Sequence, residues 1–121
     1  MPAARKPPLS RARATRLSGV GAFQTLLRNG ARRDGRYMQL IFVPAASLPG
    51  RAGFIVGAKA MPRAVDRNRL KRKLRELLRA FRPRVNALDV VFRVRQALPR
   101  QAIDAAADEA RVLLVAVLAS P

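Results

Sequence analysis

The chain has no cysteine, no histidine and no tryptophan among its 121 residues. Without cysteine there is no disulfide and no thiolate metal site, and a cytoplasmic setting is compatible. Without histidine the usual general base and the commonest metal ligand are missing. Carboxylates are scarce too, with only Asp34, Asp66, Glu76, Asp89, Asp104, Asp108 and Glu109. Asp104 and Asp108 stand four apart on an expected helix, as a metal pair can, but surface solvation and a favourable charge at the helix start account for them more simply. No apolar run approaches the ~20 residues that a membrane span needs. These absences leave no catalytic apparatus and no bound metal to expect on the protein itself.

Positive charge is what the chain has in excess. Lys and Arg total 25, the formal charge is +18, and half of the residues are apolar. A field of that size favours polyanions, nucleic acid first and an anionic membrane surface second. The apolar content says that most of the chain folds. Residues 1–17, MPAARKPPLSRARATRL, are basic and Pro-rich without the apolar centre of a secretory signal. They share the acid-free look of a transit peptide, but a flexible basic arm is the simpler reading. Residues 18–119 are expected to form a single domain.

Within that domain GAFQTLLR (21–28) places Phe23, Leu26 and Leu27 at helical spacing, with Ser18 as a cap. Asn29 and Gly30 are expected to end it in the left-handed conformation. RYMQLIFV (36–43) and RAGFIVGA (51–58) read as strands, antiparallel to each other across the loop PAASLPG (44–50). A helix is expected from Pro62 to Arg82, stopping before Pro83. ALDVVFRVR (87–95) alternates, with Leu88, Val90, Phe92 and Val94 on one face. Pro99 opens a last helix with its acids early, and that acidic start is expected to lie away from the polyanion site. The order is α-β-β-α-β-α, an α+β sandwich of a small central sheet with helices. The unit across the basic helix makes a parallel strand pair.

The stretch AVDRNRLKRKLREL (64–77) carries the functional reading. Six of the nine residues from Arg67 to Arg75 are Arg or Lys. On a helical wheel Leu70, Leu74, Leu77 and Phe81 share a narrow sector that Leu78 widens, while Asn68, Lys71, Arg72, Arg75 and Arg79 gather opposite. Arg67 and Lys73 flank the apolar sector, where their stems cover the core edge. A solvated face usually mixes signs. Here ten bases meet two acids between Pro62 and Arg84, and Arg greatly outnumbers Lys. Arg suits bidentate phosphate and stacking contacts, so the helix reads as an anion-binding face. Charge alone does not choose between DNA and RNA.

The same stretch resembles the signature of the bacterial ribonuclease P protein family, approximately A-x-x-R-N-R-x-K-R-x-x-R-E. Ala64, Arg67, Asn68, Arg69, Lys71, Arg72, Arg75 and Glu76 match it in place. The similarity runs over roughly residues 16–118, with RL followed by AFQTLLRNG like the family's first helix and RAGFIVGAK like the strand before the signature. The resemblance implies a protein subunit that binds ribonuclease P RNA and the single-stranded 5′ leader of precursor tRNA, assisting endonucleolytic removal of the leader. Hydrolysis then belongs to the RNA and its Mg²⁺ ions. It further implies a left-handed βαβ crossover and contact with the catalytic RNA by Arg67, Asn68, Arg69, Lys71, Arg72 and Arg75. A cleft between the first helix and the sheet holds the leader, which puts Phe23, Lys59 and Ile41 beside it. Phe23 stacks on a base or simply packs in the core. Ala58-Lys59 keeps only the second of two lysines common in the family, and Ile41 occupies a position that can be aromatic. Neither a membrane nor DNA is expected as a partner. The alternatives are a non-catalytic, ribosomal-type module for structured RNA and a DNA-binding protein with 62–82 as recognition helix. The second lacks a clear helix-turn-helix partner and leaves the sheet unexplained.

Overall fold

A computed structural model describes residues 20–119. The arm 1–17, the cap Ser18 and the Arg16-Leu17 pair therefore lie outside the described residues. Helix α1 (Val20–Asn29) leads into strands β1 (Ala31–Asp34), β2 (Met38–Pro44) and β3 (Ala52–Ile55). Helix α2 (Ala64–Ala80), a 3₁₀ turn over 84–87, strand β4 (Leu88–Val94), a second 3₁₀ turn over 100–102 and helix α3 (Ile103–Ala119) follow. The sheet order is β1-β2-β4-β3, antiparallel except for the β3–β4 pair. The α+β reading and the parallel pair across the basic helix agree with this architecture.

Two expectations about strands are corrected. β2 and β3 run in opposite directions but do not pair, because β4 inserts between them and bonds to both. β1 was not expected at all. Its residues Ala31-Arg32-Arg33-Asp34 are exposed throughout and carry no apolar alternation. It exists because a tight turn returns the chain onto β2, with Gly35 N–H donating to Met38 O at 2.7 Å. The Asp34-Gly35 pair, a hairpin signal followed by an apolar strand, was the cue. The turn is held from outside by Glu109 of α3, whose carboxylate accepts from the backbone N–H groups of Arg36, Tyr37 and Met38 at 2.6, 2.8 and 2.7 Å. A side chain at Gly35 would collide with that carboxylate.

The period-two pattern sorts β2 and β4 into two faces. Met38 and Leu40 of β2 join Val90, Phe92 and Val94 of β4 in the main core. Against them pack Leu70, Leu74 and Leu78 of α2, and Ile103, Ala106, Ala110, Leu114 and Val117 of α3. Each fully buried Leu there contributes about 1.5–3 kcal/mol over exposure. Leu78 is more deeply buried than Leu77, so the seam is centred slightly to one side of the sector read from the wheel. On the opposite face a smaller cluster joins Leu26 of α1 to Ile41 and Val91, with Phe23, Leu27, Val43 and Ile55 packed around it. The molecule is thus three layers: α1, the sheet, and the α2–α3 pair.

The helix ends differ in detail from expectation. α1 does stop at Asn29, but neither Asn29 nor Gly30 adopts the left-handed conformation. Gly30 is needed for closeness: a Cβ there would stand 2.6 Å from Leu26 O and 2.7 Å from Ile41 Cγ2. α2 begins at Ala64, two residues after Pro62 and behind an extended Arg63, and closes with Phe81 N–H and Arg82 N–H bonded to Leu78 O and Arg79 O. Pro99 precedes a 3₁₀ turn, and α3 proper starts at Ile103.

Candidate nucleic-acid interface

Helix α2 divides its cations among three surroundings. Its leucine seam fixes the inward face, so the outward-facing residues are set by the ~100° step of the helix. Asn68, Arg69, Arg72, Arg75 and Arg79 are exposed and Lys71 is half-buried. Toward the β3 edge, the Arg75 guanidinium lies 5.7 Å from the centre of the Phe54 ring. That cation–π contact orients the fork while its N–H donors stay in the plane, open to a ligand. Among the described residues no carboxylate pairs with Lys71, Arg72, Arg75 or Arg79.

Toward α3 the picture is different. Lys73 Nζ stands 3.0 Å and Arg69 Nη2 3.7 Å from Asp104 Oδ1. The hydrogen bond and charge of Lys73, then the charge of Arg69, hold the Asp104 carboxyl below its ordinary pKa. The acidic start of α3 was expected away from the polyanion site; its Asp104 instead meets Lys73 and Arg69 of α2. The reason is tertiary, because both helices cover the same sheet face and their flanks meet. Asp104 is consequently engaged with cations of α2.

Arg67, the first residue of the signature, turns inward. Its Nη1 donates to Met61 O at 2.7 Å and to Pro62 O at 3.0 Å, which ties down the turn that launches α2. Asp66, one residue earlier, is buried and meets Arg100 Nε at 3.3 Å. Neither arrangement is visible in the wheel, which treats each residue by its angle alone. Asn68, Arg69, Arg72 and Arg75 are exposed along α2 and Lys71 is half-buried; Arg67, also half-buried, is bonded back to the turn before the helix.

Of the residues expected beside the leader, Phe23 and Ile41 share the α1 face of the sheet. Phe23 is half-buried against the Leu26, Ile41 and Val91 cluster, so part of its ring is packed and part is open. Ile41 has no exposed surface and forms the floor of that cluster. Lys59 is exposed in the turn after β3. Arg32, which sequence reading passed over, faces the same side as Ile41 and donates from Nη2 to Leu27 O at 2.5 Å. Its position just past the end of α1 was a usable signal, since basic side chains often bond the last carbonyls of a helix.

A family model described as Ribonuclease P matches residues 12–117. The chain belongs to the ribonuclease P protein family. The ribonuclease P protein component of Ralstonia pickettii is 32% identical over 100 residues, 83% of this chain and 71% of that protein. That of Synechococcus sp. is 42% identical over 72 residues, 56% of this chain and 54% of the other. That of Thermus thermophilus is 45% identical over 74 residues, 61% and 43% of the two chains. The matched region spans about half the length of these last two relatives. Among solved structures, the Staphylococcus aureus RNase P protein superposes with a TM-score of 0.69 at 22% identity, covering 84% of this chain and 94% of that one. The RNase P protein from Thermotoga maritima gives 0.68 at 25% identity, covering 85% and 94%. The fold is therefore that of the ribonuclease P proteins. No described helix is long and apolar enough to cross a membrane.

Proposed function

We propose that the chain is the protein subunit of ribonuclease P, a cytoplasmic ribonucleoprotein endonuclease. In this reading it binds the catalytic RNA and the 5′ leader of precursor tRNA, and so assists removal of the leader. The observation that carries the reading is the outward face of α2 in a member of this family. Asn68, Lys71, Arg72 and Arg75 converge there on an accessible surface, and among the described residues no carboxylate is bonded to any of the three cations. Neutralising phosphates with these groups releases counterions, so affinity for the RNA falls steeply with salt. Mg²⁺ held by the RNA supplies the hydrolytic chemistry, while this chain grips and orients. The leader lies against the α1 side of the sheet, where Phe23 offers a partly open ring, and the exposed Lys59 in the turn after β3 adds a charge. Stacking of one base on such a ring is worth about 1–3 kcal/mol.

The test is cleavage of precursor tRNA by the cognate ribonuclease P RNA at low Mg²⁺, with and without the protein. Arg72→Ala/Arg75→Ala is the appropriate variant, because Arg67 holds backbone carbonyls and its loss would mix folding with binding. The wild-type chain is expected to restore 5′ processing. The double variant should bind the RNA more weakly, with a salt slope smaller by roughly 2. A protein that binds the cognate RNA but leaves cleavage unchanged would be a general RNA-binding module instead.

A further inference from the structure

The N-terminal half of α2 and the 3₁₀ turn before α3 enclose a shallow groove. It is lined by Val65, Asp66, Asn68, Arg69, Arg72 and Arg100. Arg100 lies well beyond the signature, which ends at Glu76, and belongs to another element. Its side chain is half exposed, whereas that of Asp66 beneath it is almost fully buried. Asp66 engages Arg100 through Nε alone, at 3.3 Å. Among the described residues no bond is made by the two Nη nitrogens of Arg100. A guanidinium held at Nε keeps the opposite edge of its fork for another acceptor.

We propose that this groove is a phosphate site for structured RNA, and that Arg100 is a contact residue positioned by Asp66. The proposal rests on the ribonuclease P reading and extends it to a residue outside the signature. Three guanidiniums, from Arg69, Arg72 and Arg100, surround the groove, and the Asn68 amide adds a neutral donor. Two carboxylates stand nearby and both are already engaged. Asp66 is bonded to Arg100, and Asp104, on the α3 side, lies 3.0 Å from Lys73 and, more loosely, 3.7 Å from Arg69. The exposed Val65 on the rim offers apolar surface for a ribose beside the phosphate. Because Arg100 comes from a different element than Arg69 and Arg72, the site needs the docking of α3 onto α2.

The sign of one substitution separates positioning from bulk electrostatics. Removing an acid near a phosphate should tighten RNA binding if charge alone matters. If Asp66 instead aims Arg100, Asp66→Asn should weaken it. Affinity of the full chain for its cognate ribonuclease P RNA would be measured at several salt concentrations. Arg100→Lys keeps a cation beside buried Asp66 but loses the fork, and it should bind about fivefold more weakly or worse. Asp66→Asn/Arg100→Ala removes both members of the pair, so no charge is left buried alone. It should bind no better than Arg100→Lys, with a salt slope smaller by roughly 1 than wild type. Wild-type affinity in the double variant, or tighter binding by Asp66→Asn, overturns the proposal. Arg72→Ala/Arg75→Ala runs alongside: if it too binds normally, the RNA-binding reading of α2 fails. If only the Arg100 and Asp66 variants are silent, this inference alone fails.

Discussion

The two faces of the sheet are built to different depths. On one, α2 and α3 bury eight side chains against the Met38, Leu40, Val90, Phe92 and Val94 wall. On the other, α1 buries Leu26 against little more than Ile41 and Val91, and its neighbours remain half open. The deep face turns α2 into a rigid rod whose cations hold fixed positions relative to the sheet. A shape-complementary contact with folded RNA needs such fixed positions. The shallow face leaves Phe23, Leu27 and Ile55 partly uncovered, which suits a flexible single strand whose bases stack and slide. On the proposed function, depth of packing thus assigns the deep side to structured RNA and the shallow side to an extended strand.

The most severe way to break that contrast is to open a cavity on the deep side. Leu74 is fully buried in the α2 seam, and Leu74→Ala is expected to destabilise the fold by about 3–5 kcal/mol. Urea unfolding would show it, and binding to both RNA ligands should fall together because the whole scaffold loosens. Leu26→Ala strikes the shallow side. Fewer neighbours surround Leu26 and the site collapses more readily, so about 2 kcal/mol is expected. Its binding signature should be selective. Affinity for precursor tRNA with a long leader drops relative to tRNA without one, while affinity for the catalytic RNA holds. Equal losses for both ligands would mean that the two faces do not act separately.

The smallest effect concerns the junction of α2 with α3. Asp104 has its pKa lowered by Lys73 and then Arg69, so its charged form is favoured by folding. That contribution is fully present above the unfolded carboxylate pKa of about 3.9 and is lost as pH falls through the depressed folded value. Thermal melts of wild type and Asp104→Asn should therefore differ by a small, constant amount near neutrality. The gap should close in acid, below about pH 4. A gap that persists there would assign the difference to packing rather than charge.

Local pattern made part of this molecule legible. The leucine spacing of α2 and the alternation of β4 are short-range properties, and the structure follows both, with Leu78 buried more deeply than Leu77 beside the fully buried Leu70 and Leu74. The charged edge strand β1 escaped because exposed residues leave no hydrophobic period; only its pairing with β2 makes it a strand. The accessible face of α2 was readable from charge and angle. Arg67 was not, since its bonds run to carbonyls of the preceding turn.

By itself the sequence determined that a basic amphipathic helix would bury leucines and expose arginines beside a small sheet, because periodicity acts over a few residues. It also determined the excess of positive charge that favours a polyanion, since net charge survives any folding. Only the tertiary structure decided that β4 separates β2 from β3, that Ile41 lies beneath Leu26, and that Asp66 and Asp104 meet Arg100 and Lys73. Those outcomes join residues tens of positions apart. They follow from which faces must share one core, a competition that no local window contains.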